Sequence, residues 1–213
     1  MADEQKDFWR SVWIVFALVS VLWIVQFLQV LNIYDFVNFA NHPRHIGGLP
    51  GIIFSPFIHD KYHFEHIISN TLPMMVLLTV LINAYPKIWF SVLVFVHLAS
   101  GILVWLFAPE YTYHVGISGI IYGIAAFLVA SGLFRRDRTS FTIAILVVLV
   151  YGGMVLGFLP NKEGISWQSH LFGALSGILI AFILRKRDLP PLSEIELEKT
   201  EPDHHFFDPD RPV

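Results

Sequence analysis

Residues 116–136 read GISGIIYGIAAFLVASGLFRR: a serine between two glycines, an apolar run broken only by small residues, and a closing pair of arginines. An apolar run of that length, ended by basic residues, is what a helix needs to cross a bilayer from one interface to the other, about 20 residues at 1.5 Å each. Working outward, five more segments carry the same signature, at 12–33, 67–84, 88–108, 141–159 and 167–184. The expected fold is therefore an all-α polytopic membrane protein of six transmembrane helices. The first and second segments are joined by a long connection, 34–62, rich in Gly, Pro and His and holding an apolar stretch of its own. Such a loop is expected to pack on or into the membrane surface.

Composition agrees. Of 213 residues, 55% are apolar and only 15% charged, which exceeds the apolar share of soluble domains. A net charge of −3 argues against a nucleic-acid partner, and the absence of cysteine removes disulfide, thiolate and Cys-metal chemistry together. The apolar stretch after Arg10 is too long for a signal-peptide core and reads as a retained helix. The chain divides into a membrane domain, 1–187, and an acidic, Pro-rich tail, 188–213, with His204 and His205 near its end; the tail is expected to be flexible. Lys6, Arg10, Lys87, Arg135, Arg136, Arg138, Arg185, Lys186 and Arg187 fall on one side of a six-helix reading, against Arg44, Lys61 and Lys162 on the other. The positive-inside rule then puts both termini in the cytoplasm, in the inner membrane if the source is bacterial.

Helices two, four and six all begin on the outer side, and there the intramembrane polar residues gather. Asn70, Ser118 and His170 precede Lys87, Arg135 and Arg185 by 17, 17 and 15 positions, which puts all three at similar depth. Polar groups inside a membrane are costly unless they meet each other or water, so the coincidence suggests a site. Gly119, Gly123 and Ala126 on helix four face a matching stripe of Gly173, Gly177 and Ala181 on helix six, and such small faces allow close helix approach. If they meet, Ser118 and His170 face each other, the minimum apparatus for activating a hydroxyl. No carboxylate other than Glu65 lies near this depth in helices two to six, so the pattern supports a dyad. His66 and Asn70, one turn apart, could supply side-chain donors to an oxyanion beside the Ser118 N–H. Tyr122, one turn below Ser118, could stack on the His170 ring.

The combination His66-x-x-x-Asn70, Gly116-x-Ser118-Gly119-x-x-Tyr122 and His170-x-x-Gly173-x-x-x-Gly177 resembles the rhomboid family of intramembrane serine proteases, over about 57–187. The resemblance implies a six-helix rhomboid bundle with Ser118 as nucleophile, His170 as general base, and His66, Asn70 and the Ser118 N–H as the oxyanion site. It also implies that the first loop lies partly in the membrane, that helix five and the loop after it move to admit substrate, and that no cofactor is required. The expected partners are single-pass membrane proteins, cut near the outer end of their transmembrane segments, together with the lipid bilayer. Family members often carry a Trp-Arg pair in the first loop; here Pro43-Arg44 stands without a tryptophan. They also place a histidine some five residues before the helix-two histidine, and either His59 or His63 could fill that role.

Other classes fit less well. The cluster His59, His63 and His66 invites a metal, but His63-Phe64-Glu65-His66 is one residue short of the inverted zincin spacing. A transporter could use His97, halfway along helix three, as a proton relay, yet the two halves of the chain show no internal repeat. An inactive relative that only binds membrane proteins is the remaining alternative, and the presence of both Ser118 and His170 argues against it.

Overall fold

The structure, a computed structural model, describes residues 2–160 and 166–188. Lys162 and the tail from 189 onward, with His204 and His205, lie outside the described residues. The long helices are α1 (Ala2–Val30), α2 (Phe64–Ala84), α3 (Trp89–Phe107), α4 (Ser118–Arg135), α5 (Arg138–Tyr151) and α6 (Trp167–Ile183). Among the described residues there is no strand, only one isolated bridge between Asn41 and His114. The architecture is the expected all-α polytopic bundle.

Five helical stretches are long and apolar enough to cross a membrane: Gln5–Val30, Phe64–Ala84, Trp89–Phe107, Ser118–Arg135 and Arg138–Phe158. The sixth, α6, is equally apolar but spans 17 residues, slightly short of the others. It compensates by lying against α3 and α4 instead of facing lipid alone. The fifth stretch changes character along its length. It is α-helical to Tyr151 and then tightens into a 3-10 turn over Gly152–Phe158.

The 34–62 connection folds as a string of single helical turns, Val37–Phe39, Ile46–Gly48, Gly51–Phe54 and Ser55–Phe57, docked along α3. Ile46, Leu49, Ile53 and Phe54 stay exposed on it, an outward face suited to lipid. The loop around Arg44 is held to Trp105 of α3. Trp105 Nε1 donates to the His45 carbonyl at 3.0 Å, the Arg44 N–H donates to the Trp105 carbonyl at 3.0 Å, and Arg44 pairs with Glu110 at 2.8 Å. His97, the relay candidate, bonds the Ile53 carbonyl at 3.0 Å and so ties this loop to α3.

The most extensive helix pair is α4 with α6, and its cause is glycine. A Cβ on Gly173 would overlap the Gly119 carbonyl, and one on Gly177 would overlap the Gly123 carbonyl, so neither position tolerates a side chain. The glycines of the stripe read from sequence are thus brought together. Ala126 borders an apolar groove toward α5, and the seam continues through the backbone of Phe127. At the opposite end Arg135 donates to the Leu184 and Asp188 carbonyls at 3.2 and 2.9 Å, and the Asp188 carboxylate accepts from the Lys87 N–H at 2.8 Å. Asp188, assigned to the tail by sequence, is therefore fastened to the bundle.

Candidate active site

Ser118 is the first residue of α4, where backbone N–H groups have no acceptor within the helix. The chain enters through Gly116 at φ +103°, a conformation open to glycine, and the His66 ring occupies the space a side chain there would need. His170 lies in the first turn of α6, buried like Ser118. Because the glycine seam brings the two helix starts together, His170 Nε2 lies 3.0 Å from Ser118 Oγ.

The other ring nitrogen fixes the tautomer. His170 Nδ1 is 2.9 Å from the Gly157 carbonyl, which can only accept, so Nδ1 carries the proton and Nε2 is left to accept from the Ser118 hydroxyl. Tyr122 stacks on the imidazole with centroids 4.0 Å apart and planes at 6°, and its hydroxyl donates to the Met154 carbonyl at 2.8 Å. The 3-10 turn after α5 is thus fastened to the histidine and to the ring packed on it. A carbonyl oxygen takes the place a carboxylate would hold in a triad.

His66, Asn70, Ser118, Tyr122, Met154 and His170 line one cavity of about 220 Å³. The Asn70 Nδ2 is buried there with no hydrogen-bond acceptor. An unpartnered buried amide is expensive, which makes it a donor waiting for an acceptor. Of the residues expected at the site from sequence, His66, Asn70, Ser118, Tyr122 and His170 line this cavity, Gly116 lies against the His66 ring, and Gly119, Gly173 and Gly177 lie in the α4–α6 seam.

Of the two candidate histidines upstream of His66, the structure brings in His59. It is buried, its ring meets that of His66 edge to face at 5.1 Å, and its Nε2 accepts the Ile117 N–H at 3.4 Å, which steadies the turn into Ser118. Burial, and then the neighbouring His66, hold its pKa down to about 3, so it is a neutral acceptor. His63 points outward and bonds Asp60 at 3.1 Å, so the three histidines do not converge. Among the described residues no group of three potential ligands is placed to hold a metal. Two participants escape a sequence reading altogether: the Gly157 carbonyl, since backbone acceptors leave no residue signature, and His114 with Ser166, which are brought together across 52 positions.

Membrane-length helices enclosing a polar cavity near one end define an integral membrane protein. A model of the rhomboid domain matches residues 47–187, and the chain belongs to the rhomboid family, whose members are generally intramembrane serine proteases. The match begins in the first loop, ten residues before the stretch legible by eye. Uncharacterized proteins of Mycobacterium tuberculosis and Mycobacterium bovis are 33% identical over 190 residues, covering 82% of this chain and 78% of theirs. One from Mycobacterium leprae is 38% identical over 146 residues, 63% of this chain and 55% of its own. No solved structure gives a significant match.

Proposed function

We propose that this protein is an intramembrane serine endopeptidase working through a Ser118–His170 dyad. The observation that carries the reading is the 3.0 Å approach of His170 Nε2 to Ser118 Oγ with the opposite nitrogen held by Gly157. Ser118 Oγ attacks the scissile carbonyl while Nε2 takes its proton. The imidazolium is stabilised by the Gly157 carbonyl. The oxyanion accepts from the Ser118 N–H, Asn70 Nδ2 and His66, after which Nε2–H protonates the leaving amine. Water then repeats the sequence on the acyl-enzyme and regenerates the serine.

Both termini are assigned to the cytoplasm by the basic residues gathered at the end opposite Ser118, so the dyad acts near the outer face. A peptide bond reaching it must come from the outer end of another membrane helix, locally unwound, because helical carbonyls are already hydrogen-bonded. Among the described residues α2 and α5 scarcely touch, which favours lateral entry between them, with α5 and its 3-10 turn moving. The glycines beside Ser118, Gly116 and Gly119, leave a narrow space, which favours a small residue before the cut.

The test uses the purified protein in detergent with a single-pass substrate. A serine-directed fluorophosphonate should label Ser118, Ser118→Ala and His170→Ala should each remove cleavage, and mass spectrometry should find the cut near the outer boundary after a small residue. Cleavage by Ser118→Ala overturns the mechanism, and a cut at the cytoplasmic end overturns the orientation.

A further inference from the structure

His114 lies outside the cavity, yet it is buried and both of its ring nitrogens are bonded. Its Nε2 is 2.7 Å from Thr112 Oγ1, and its Nδ1 is 2.5 Å from Ser166 Oγ. Thr112 spends its own proton on the Pro109 carbonyl at 2.6 Å, so it can only accept from Nε2–H. Nδ1 is then bare and accepts the Ser166 hydroxyl. That leaves the two acceptor positions of Ser166 for the Ser169 N–H at 3.2 Å and the Ser169 hydroxyl at 2.6 Å. Every donor in the chain has one acceptor, and the polarity is fixed from end to end.

Ser166 is the N-cap of α6 and His170 lies in the turn it caps. His114 is also bridged on both sides to Asn41, its N–H donating to the Asn41 carbonyl at 2.9 Å and its own carbonyl accepting the Asn41 N–H at 3.0 Å. Asn41 in turn donates from Nδ2 to the Gly101 carbonyl of α3 at 2.8 Å. The first loop and α3 thus hold the backbone of His114 in place, while its imidazole reaches Thr112 in the loop before Ser118 and, through Ser166, the cap of α6.

We propose that His114 is a positioning residue: through Ser166 it sets the first turn of α6, and with it the distance and direction of His170 from Ser118. The proposal rests on the dyad reading above. Three variants test it, measured for kcat and KM separately, for the rate of fluorophosphonate labelling at Ser118, and for amide exchange over 166–170. His114→Phe keeps a planar ring and removes both bonds. It should lower kcat and the labelling rate about 10- to 100-fold, the scale of a small misplacement of reacting groups, with KM within about twofold and faster exchange in the capped turn. His114→Asn, whose Oδ1 sits where Nδ1 was, should recover most of the loss. Ser166→Ala should match His114→Phe, and the double variant should lose little more than either alone. Unchanged kcat in a folded His114→Phe protein, no rescue by asparagine, or additive losses would overturn the proposal. If Ser118→Ala still cuts, or the wild type neither cuts nor labels, the dyad reading fails instead. Exchange over 166–170 then decides the positional claim by itself, unchanged protection in His114→Phe refuting it.

Discussion

Helix α4 meets α6 on one side and α5 on the other, and the two contacts could hardly differ more. Toward α6 the backbones touch through glycine, and both members of the dyad sit at the start of that seam. Toward α5 the contact is less extensive, and the backbones come closest to touching through a glycine at Gly132, whose missing side chain admits Ala144. Above that point they diverge around an apolar groove of about 480 Å³. Burial follows the same division: 67% of the apolar window of α4 is covered by protein, against 11% for the stretch Arg138–Phe158. Ser118 and His170 are therefore held by the most extensive helix pair among the described residues, while Gly157, whose carbonyl meets His170 Nδ1, belongs to the least covered of the five membrane-length stretches. On the proposed function, a site that must be rigid for chemistry and open for a substrate helix would divide those requirements between these two neighbours.

The comparison is broken most severely at the seam. Gly173→Val should leave no stable bundle, because the new side chain has nowhere to go but into the Gly119 carbonyl, and overpacking alone costs about 1–3 kcal/mol before any helix separation. Gly153→Ala on the other side meets nothing and should leave the melting temperature unchanged. Equal destabilisation by the two, read by thermal unfolding in detergent, would erase the distinction.

Acid should also act on the rigid half. His59 and His114 are both neutral in the fold, burial holding them to pKa values of about 3 and about 4 against 6.5 when exposed. Below 6.5 the unfolded chain binds protons that the folded one does not. Stability is thus full above that pH and falls as the pH drops toward 4, by about 1.4 kcal/mol per unit for each histidine. His114→Phe should make that slope shallower by one histidine's share, about 1.4 kcal/mol per unit. A slope that steepens, or one absent from the wild type between pH 6.5 and 4, would contradict the burial of these rings.

A smaller effect is expected from Gly157→Ala. A Cβ there would collide with the Tyr122 hydroxyl and press on His170 Nδ1, so the 3-10 turn must shift and the Nδ1 acceptor with it. Losing one oriented hydrogen bond to the base should lower kcat by about 10- to 100-fold with little change in melting temperature. Lost stability without lost turnover would mean that Gly157 only packs.

How much of this was legible follows from what leaves a mark in sequence. The seam did, because glycines at four-residue spacing in a membrane helix have few uses. The dyad and Asn70 did, since polar residues at equal depth stand out against lipid-facing neighbours. The choice between His59 and His63 did not. It depends on a turn in which Asp60 accepts the N–H groups of Tyr62 and His63 at 2.8 and 3.0 Å and so directs His63 outward. His114 was hidden for a similar reason, since its partners are hydroxyls on different loops.

The smallest predicted effect is the most informative about the mobile half. Tyr122→Phe removes the hydroxyl that donates to Met154 at 2.8 Å and keeps the ring that stacks on His170. The imidazole therefore keeps its support, while the 3-10 turn loses one of its two hydrogen bonds to the site and keeps the Phe158 contact with the Tyr122 ring. A single such bond contributes about 0.5–1.5 kcal/mol, which corresponds to a few-fold change in how often the turn lifts. If lifting admits the substrate, kcat/KM should rise about two- to tenfold, with the fluorophosphonate, a small probe, labelling Ser118 at nearly the wild-type rate. The two readouts separate access from chemistry. A fall in both would instead make the closed turn part of the working geometry, with the tie to Met154 needed to keep Gly157 on His170, and substrate would have to enter without disturbing it.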